Sequence, residues 1–307
     1  MNKIPVGKVI SESLNFSIRN YLSLLGVLWL PMLLSLLFTW FVTFPHFQAV
    51  AAGAGGLRPA GSPLTGLGIE AVHLALLAVM SVGVTRVALG LREGPRFVYL
   101  SVGAAELRVF GGYILLGIIM IVLGIGLAVI LGFLTAIVGG AFRAGAASDP
   151  AAMSRMTAVA TPFVMLGVFL PVLYFGIRLS SFMSAVAVAE HRFGLWRSWA
   201  LTRSNFWRLF VIVMAVWIPL MVLYAVALSL AMGPALTKVI AAASLGPATL
   251  RAAYSEMLMS AVSKLKYAVL VVLPFAPVLY GLIIAPGAFA YRALVPPPAA
   301  DAASAFD

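Results

Sequence analysis

The stretch VFGGYILLGIIMIVLGIGLAVILGFLTAIV, residues 109–138, contains no charged side chain. About 20 apolar residues carry a helix across a bilayer, so this stretch is expected to tilt or to project beyond the lipid. Five further long apolar stretches accompany it, and charged residues make up only 9% of a chain that is 63% hydrophobic. A water-soluble fold needs a charged surface. The composition therefore excludes a soluble domain and predicts an all-α polytopic membrane protein with interfacial amphipathic helices.

The chain is predicted to form one six-span membrane domain over residues 1–295 and a disordered Pro- and Ala-rich tail over 296–307. The six predicted spans lie near residues 22–44, 69–91, 109–138, 161–189, 206–232 and 267–294. Residues 45–68 are rich in Gly, Ala and Pro, which predicts a flexible loop. Apolar residues at helical spacing over 250–265 predict a surface helix before the last span.

An amphipathic helix is predicted to lead into the first span. Val6, Ile10, Leu14 and Ile18 recur every four residues, with polar residues between them. This pattern favours a helix that lies in the interface and turns into the membrane at Asn20. A plain N-terminal extension with chance periodicity is the alternative. A second interfacial helix is predicted before the fifth span.

The basic residues predict how the spans are oriented. More of the 20 Lys and Arg residues fall on the termini and on segments 92–108 and 190–206 than on segments 45–68 and 233–266. By the positive-inside rule, both termini are expected to be cytoplasmic. Lys264 and Lys266, beside the sixth span, argue weakly against this arrangement.

Basic and aromatic residues alternate before the fifth span. The set that we expect to bind lipid headgroups is Arg192, Trp196, Arg197, Trp199, Arg203, Trp207 and Arg208. Beside a membrane span, indoles settle at the headgroup level and guanidinium groups bind phosphate. Such interleaving can also bind single-stranded nucleic acid, but next to a span anionic membrane lipids are the favoured partner. Docking of a cytoplasmic partner is a further alternative.

Ionisable residues inside the predicted spans form a candidate polar site, because they are costly there. Glu70 and His73 lie one helical turn apart and could form a pair or a proton site. Arg86 and Arg178 lie toward the inner ends of the second and fourth spans. Arg178 is expected to bind a carbonyl, a lipid phosphate or a carboxylate; the candidate carboxylates are Glu93, Glu106 and Glu190. Snorkelling or a structural tie is the alternative for all four residues.

Small residues repeat every four positions in the third span. The ladder consists of Gly124, Ala128, Gly132, Ala136 and Gly140. Small residues at this spacing let a second helix backbone approach closely. The ladder therefore predicts a helix–helix contact, with either another span or a second subunit.

Two stretches resemble a diffuse bacterial family. They are IRLSSFMSAVAVAE at residues 177–190 and RSWALTRSNFWR at residues 197–208, with AYRAL at 290–294 also similar. The family includes uncharacterised six-span inner-membrane proteins and the membrane domain of some glycerophosphodiester phosphodiesterases. The resemblance covers about a third of the chain closely and implies a six-span fold in the bacterial inner membrane. It implies no reaction, since nothing here resembles the phosphodiesterase catalytic domain.

The sequence offers no set of catalytic or metal-binding residues. It contains no cysteine, its three histidines lack metal-ligand spacing, and the common nucleotide-binding and hydrolase motifs are absent. We therefore expect no enzyme activity and no cofactor. The favoured function is an accessory or organising subunit of a membrane assembly, acting through lipids and other membrane-protein subunits. The alternative is a transporter or lipid-handling carrier, which a central polar cavity would favour.

Overall fold

The computed structural model describes residues 3–46, 63–91, 102–145, 150–242 and 272–295, together with 249, 250, 252–257, 260, 264 and 270. All regular structure in these segments is helical. The α-helices are α1 Val6–Arg19, α2 Tyr21–Phe38, α3 Pro63–Leu89, α4 Ala104–Gly145, α5 Pro150–Ser180, α6 Met183–Ala189, α7 Gly194–Thr202, α8 Phe206–Ala242 and α9 Ala276–Leu294. A π-helical turn, Thr39–Thr43, follows α2, and a 3₁₀ turn, Leu273–Phe275, precedes α9.

Six of the helical segments are long and apolar enough to cross a membrane. They are Tyr21–His46, Leu64–Leu89, Ala104–Leu134, Pro162–Ala189, Phe206–Ala227 and Leu273–Leu294. The prediction of an all-α polytopic membrane fold is confirmed. Helix α3 begins at Pro63, earlier than predicted, because proline is well suited to the first helical turn. Most of the predicted loop 45–68, the tail 296–307 and much of the predicted surface helix 250–265 lie outside the described residues.

The buried core lies toward one end of the bundle. Helices α2, α4 and α8 contribute residues near their starts, whereas α3, α6 and α9 contribute residues near their ends. Phe182, between α5 and α6, is among the largest fully buried side chains. Because ion pairs also gather at this end, we call it the charged end. The helix segments farther from it carry mostly exposed apolar residues, as expected for surfaces in contact with lipid.

The N-terminal helix packs into the bundle instead of only resting on its surface. Its buried residues are Val9, Ser13, Phe16 and Ser17, and the Phe16 ring meets Phe289 of α9 edge-on at 5.5 Å. Only part of the predicted stripe packs: Val6 and Ile10 contact the core, whereas Leu14 and Ile18 are 45% and 65% exposed. Polar Ser13 and Ser17 can face inward because each hydroxyl donates to the carbonyl four residues earlier.

Helix α4 has 42 residues, a length of about 63 Å, so it exceeds one hydrocarbon core as expected. It packs against α5, where Leu131 fills the space beside Gly167. The small-residue ladder does not form the expected contact within the described chain. Ala128, Gly132 and Ala136 are exposed, and a Cβ added at Gly124 or Gly132 would meet no described atom within 4 Å. Helix α5 covers the face of α4 that bears Leu131, and Gly132 and Ala136 point away from that face. Contact with a second subunit stays a prediction, and the surroundings of Gly140 lie outside the described side chains.

Close packing at Gly287 gives a test of the bundle. A Cβ there would lie 2.3 Å from the Ser181 carbonyl oxygen, whereas a Cβ at Gly124 would meet nothing within 4 Å. We expect Gly287→Ala to lower the free energy of unfolding by about 1–3 kcal/mol, because a rigid backbone must shift. Gly124→Ala is the matched control and should leave stability equal or slightly higher. Thermal unfolding in detergent measures both, and equal melting temperatures would contradict this packing.

Candidate functional site

The fourth span is broken inside the membrane-spanning segment. Helix α5 ends at Ser180 and α6 begins at Met183, so residues 181 and 182 lie outside both helices. The Ser181 N–H still donates to the Ile177 carbonyl at 3.2 Å, but the Phe182 N–H donates to Ser198 Oγ, also at 3.2 Å. Because lipid offers no hydrogen bonds, a break in a span requires partners from elsewhere in the protein.

Helix α7 supplies those partners. The Ser198 hydroxyl donates to the Arg178 carbonyl oxygen at 2.9 Å, so one side chain serves both sides of the break. The close approach depends on Gly194, where a Cβ would lie 2.5 Å from the Met183 carbonyl oxygen. Ser198 is fully buried. The helix predicted to lie on the membrane surface is therefore also a clamp on the fourth span.

The side chain of Arg178 also binds helix α7. Its guanidinium donates to Thr202 Oγ1 at 3.2 Å, to the Tyr174 hydroxyl at 2.7 Å and to the Trp199 carbonyl at 3.1 Å. Its Cζ lies 3.6 Å from the centroid of the Trp199 ring. With only 7% of the residue exposed, the charge is stabilised by hydrogen bonds and by the ring face instead of by water. The expected carbonyl partner is present.

The carboxylates considered for Arg178 bind other cations. Glu106, 2% exposed, pairs with Arg86 at 3.2 Å. Glu190 accepts from the Arg192 side chain, from Arg197 Nε at 3.2 Å and from the Tyr291 hydroxyl at 2.8 Å. The prediction of a carboxylate partner for Arg178 was therefore wrong for these two residues. Glu93 lies outside the described part of the chain.

The predicted lipid anchor divides into two groups. Trp196, Arg203 and Trp207 are exposed, so their binding to headgroups stays a prediction. The other four residues also contact protein, and their binding to headgroups likewise stays a prediction. Arg192 and Arg197 bind Glu190, Trp199 stacks on Phe175 at 5.5 Å, and Arg208 donates to the Ile4 carbonyl at 2.7 Å.

Glu70 and His73 do not pair with each other in the described structure. Nε2 of His73 lies 3.1 Å from Thr39 Oγ1, and Nδ1 lies 3.0 Å from the Ile69 carbonyl oxygen. Both ring nitrogens are therefore engaged, while Glu70 is exposed. The proposed pair was wrong because the imidazole joins the π-helical turn after α2 to α3 instead. The four predicted intramembrane residues thus lie in separate environments and form no common site.

The charged end contains a cleft of about 570 Å³. Its polar lining comes from Arg86, Glu190, His191, Tyr291 and Arg292, and the remaining lining residues are apolar. The cleft lies where α3, α6 and α9 end and where α4 begins. It therefore combines an apolar interior with charged groups at the ends of the spans.

Among the described residues, positive charge exceeds negative charge at the charged end, where this cleft lies. Arg292 lies 3.6 Å from Glu12, which also faces Lys8 at 3.8 Å. Counted with the pairs already described, five cationic side chains face three carboxylates; the cations are Lys8, Arg86, Arg192, Arg197 and Arg292, and the carboxylates are Glu12, Glu106 and Glu190. The surplus favours an anionic ligand.

Two polar contacts of the N-terminal segment were not predicted from the sequence. The Ile4 N–H donates to Asn205 Oδ1 at 3.2 Å, and the Ile4 carbonyl accepts from Arg208. These bonds fix the N-terminus beside the start of α8, at the charged end.

Among the described residues, no group of three His, Asp or Glu side chains could hold a metal ion. Comparison of the chain with protein-family models, curated proteins and solved structures gives no match. The family resemblance noted above therefore stays a prediction. The structure does give its motif a physical role, since Ser198, Trp199 and Thr202 all contact Arg178.

Glu190 gives a pH test of the charged end. Partial burial acts to raise the pKa of Glu190, but hydrogen bonds from Arg192, Tyr291 and Arg197 outweigh it and lower the pKa. A carboxylate with a lowered pKa stabilises the fold above its unfolded pKa, about 4.3, and loses that effect as the pH falls through the folded value.

We therefore expect wild type to melt above Glu190→Gln at pH 6, with the difference shrinking below about pH 4. Thermal unfolding across this pH range measures it. Glu256→Gln is the matched control, because that carboxylate is exposed and lies far along the chain from the charged end. A melting difference that stays constant with pH would contradict a stabilising role for ionised Glu190.

Proposed function

We propose that this chain is a non-catalytic, lipid-handling protein of the bacterial inner membrane that binds an anionic lipid in the cleft at the charged end. The observation that carries the proposal is the cleft itself, which joins an apolar lining to a surplus of cations. An anionic lipid has the matching chemistry, with a phosphate for the guanidinium groups and acyl chains for the apolar surface.

The size and position of the cleft support this ligand class. A volume of about 570 Å³ falls within the range of small-molecule sites. The arginines lie at the ends of spans, where headgroups are found, so a bound lipid need not leave the interface. Arg86 is held against buried Glu106, whereas the side chain of Arg292 is 47% exposed and is available to an incoming phosphate.

The orientation belongs to the same proposal. The N-terminus, α7 and the end of α9 all meet at the charged end, and these segments carry many of the basic residues counted above. The positive-inside rule then puts the charged end in the cytoplasm. The cleft would face the leaflet that bears anionic lipid and its negative surface potential.

Cysteine labelling tests the orientation without background, because the chain contains no cysteine. Arg203→Cys marks the charged end and Thr237→Cys marks the far part of α8; both positions are exposed. In intact cells, a membrane-impermeant maleimide should label Thr237→Cys but not Arg203→Cys, and permeabilised cells should label both. Labelling of Arg203→Cys alone in intact cells would show that the charged end lies outside the cytoplasm, which contradicts the proposed orientation.

Lipid binding tests the function directly. We expect native mass spectrometry to find phosphatidylglycerol retained over phosphatidylcholine when the protein is released from mixed nanodiscs. Arg292→Gln should weaken that retention about fivefold, since one surface cation contributes about 1 kcal/mol. Ala189→Phe should also weaken it by filling the cleft, of which Ala189 is a lining residue, without changing charge.

Lys238→Gln is the matched control for charge, since it removes one cation far from the cleft. It should retain phosphatidylglycerol as wild type does. Equal retention by wild type, Arg292→Gln and Ala189→Phe would contradict a lipid site in the cleft.

An accessory or organising subunit is the second candidate function. The observation that favours it is the small-residue face of α4, where Ala128 and Ala136 are exposed and α5 packs elsewhere. Such a face suits a close contact with a helix of another subunit. The two functions are compatible, because the ladder and the cleft lie on different parts of the bundle.

A further inference from the structure

A second cavity, of about 270 Å³, lies deeper in the bundle beside the break in the fourth span. No charged residue lines it. Its polar lining is made largely of hydroxyl groups, from Ser81, Tyr113, Ser180, Ser181 and Ser184. Ser81 precedes the end of α3 by eight residues, and Trp217 follows the start of α8 by eleven. At 1.5 Å per residue these two positions are about 12–17 Å along their helices from the charged end, whereas Ser184, five residues before the end of α6, is about 8 Å from it.

The cavity is open on one side. Ser180, Trp217 and Ile283 line it and are themselves exposed. Because they belong to three different apolar spans, we expect the opening to face the lipid between those spans. A ligand would then enter laterally from the bilayer.

The hydroxyl groups that line the cavity differ in whether their proton already has an acceptor within the protein. Ser180 and Ser181 give their protons to the carbonyls of Gly176 and Ile177. Ser184 Oγ accepts from Thr85 at 3.1 Å, so its own proton is given to no described atom.

A second donor comes from the pair of Ser81 and Tyr113. Their hydroxyl oxygens lie 2.8 Å apart, and whichever group donates within the pair, one hydroxyl proton is left over. Ser81 and Thr85 are one turn apart on α3, and Thr85 bonds Ser184, so this donor and Ser184 lie at neighbouring levels of the bundle. The cavity thus offers two hydroxyl donors surrounded by apolar walls.

We propose that this cavity binds an uncharged lipid through two carbonyl or ester oxygens. The absence of lining charge disfavours an ion, because burying one unpaired in this environment is costly. Carbonyl oxygens match donors that have no acceptor, and the apolar walls match the rest of such a molecule. A diacylglycerol and a quinone share this chemistry. The site is separate from the cleft at the charged end and does not depend on phosphate binding there.

The test uses full-length protein in phosphatidylcholine nanodiscs with dioctanoylglycerol or a short-tailed ubiquinone as the probe. A ligand that binds only the folded protein raises its melting temperature with concentration. Wild type should respond to at least one probe, and a response to one alone identifies the source. Hexadecane, which lacks carbonyl oxygens, should give no rise.

The variants locate the binding. Ser184→Ala, and Ser81→Ala combined with Tyr113→Phe, each remove one free donor and should weaken binding about fivefold. Ser180→Ala is the matched control, because this hydroxyl lines the same cavity but is already committed to Gly176. It should bind as wild type does.

If a serine variant fails to fold, Val216→Phe tests the site in its place, because the larger side chain fills the cavity and removes no hydroxyl group. It should abolish the response. No rise in wild type with either probe, an equal rise with hexadecane, or an unchanged response in Ser184→Ala or Val216→Phe would overturn the site. Because neither probe carries charge, these outcomes are independent of the phosphatidylglycerol experiment.

Discussion

The burial of one guanidinium group in a broken span is the constraint on which the rest of the structure depends. Arg178 is almost inaccessible, and its fourth span is interrupted immediately after it. A buried charge and a broken backbone are each costly in a membrane unless every group finds a partner. Helix α7 supplies partners for both, through Ser198, Trp199 and Thr202.

The position of α7 in turn organises the charged end. Arg197, on α7, reaches Glu190, which also accepts from Tyr291 at the end of the sixth span. Directly after α7, Asn205 and Arg208 hold the N-terminus at Ile4. Hence the N-terminal segment before α1 and the fourth, fifth and sixth spans are linked at one end by side chains from a short stretch of sequence. The cleft is the space left between this linked end and the Arg86–Glu106 pair.

Much of the fold was predictable, because the length of an apolar stretch relative to the bilayer thickness is enough to predict a span. The six spans and the helical nature of residues 6–19 follow from hydropathy and period. The partners of the polar residues were not predictable in the same way. His73 turns toward Thr39, and Trp199 turns inward onto Arg178, because of packing between elements distant in sequence. An interfacial tryptophan that anchors lipid and one that covers a buried arginine have the same local sequence, so only the tertiary contacts separate them.

The break in the fourth span does not occur at either of the prolines of that span. Pro162 and Pro171 lie in the same span, yet α5 continues through both, and the helix ends instead at Ser180. At the break, the hydroxyls of Ser180 and Ser181 donate to carbonyls four residues earlier, a contact that bends helices. The Phe182 N–H donates instead to Ser198, which lies sixteen residues further along the chain.

A double-mutant cycle between Arg178 and Trp199 tests the central claim most directly. Arg178→Leu, Trp199→Leu and the double variant would be compared with wild type by reversible unfolding in mixed micelles. If the indole face stabilises the buried guanidinium, the coupling free energy should be about 1–2 kcal/mol in favour of the pair. Additivity of the two substitutions to within about 0.3 kcal/mol would show that the pair does not hold α7 against the broken span.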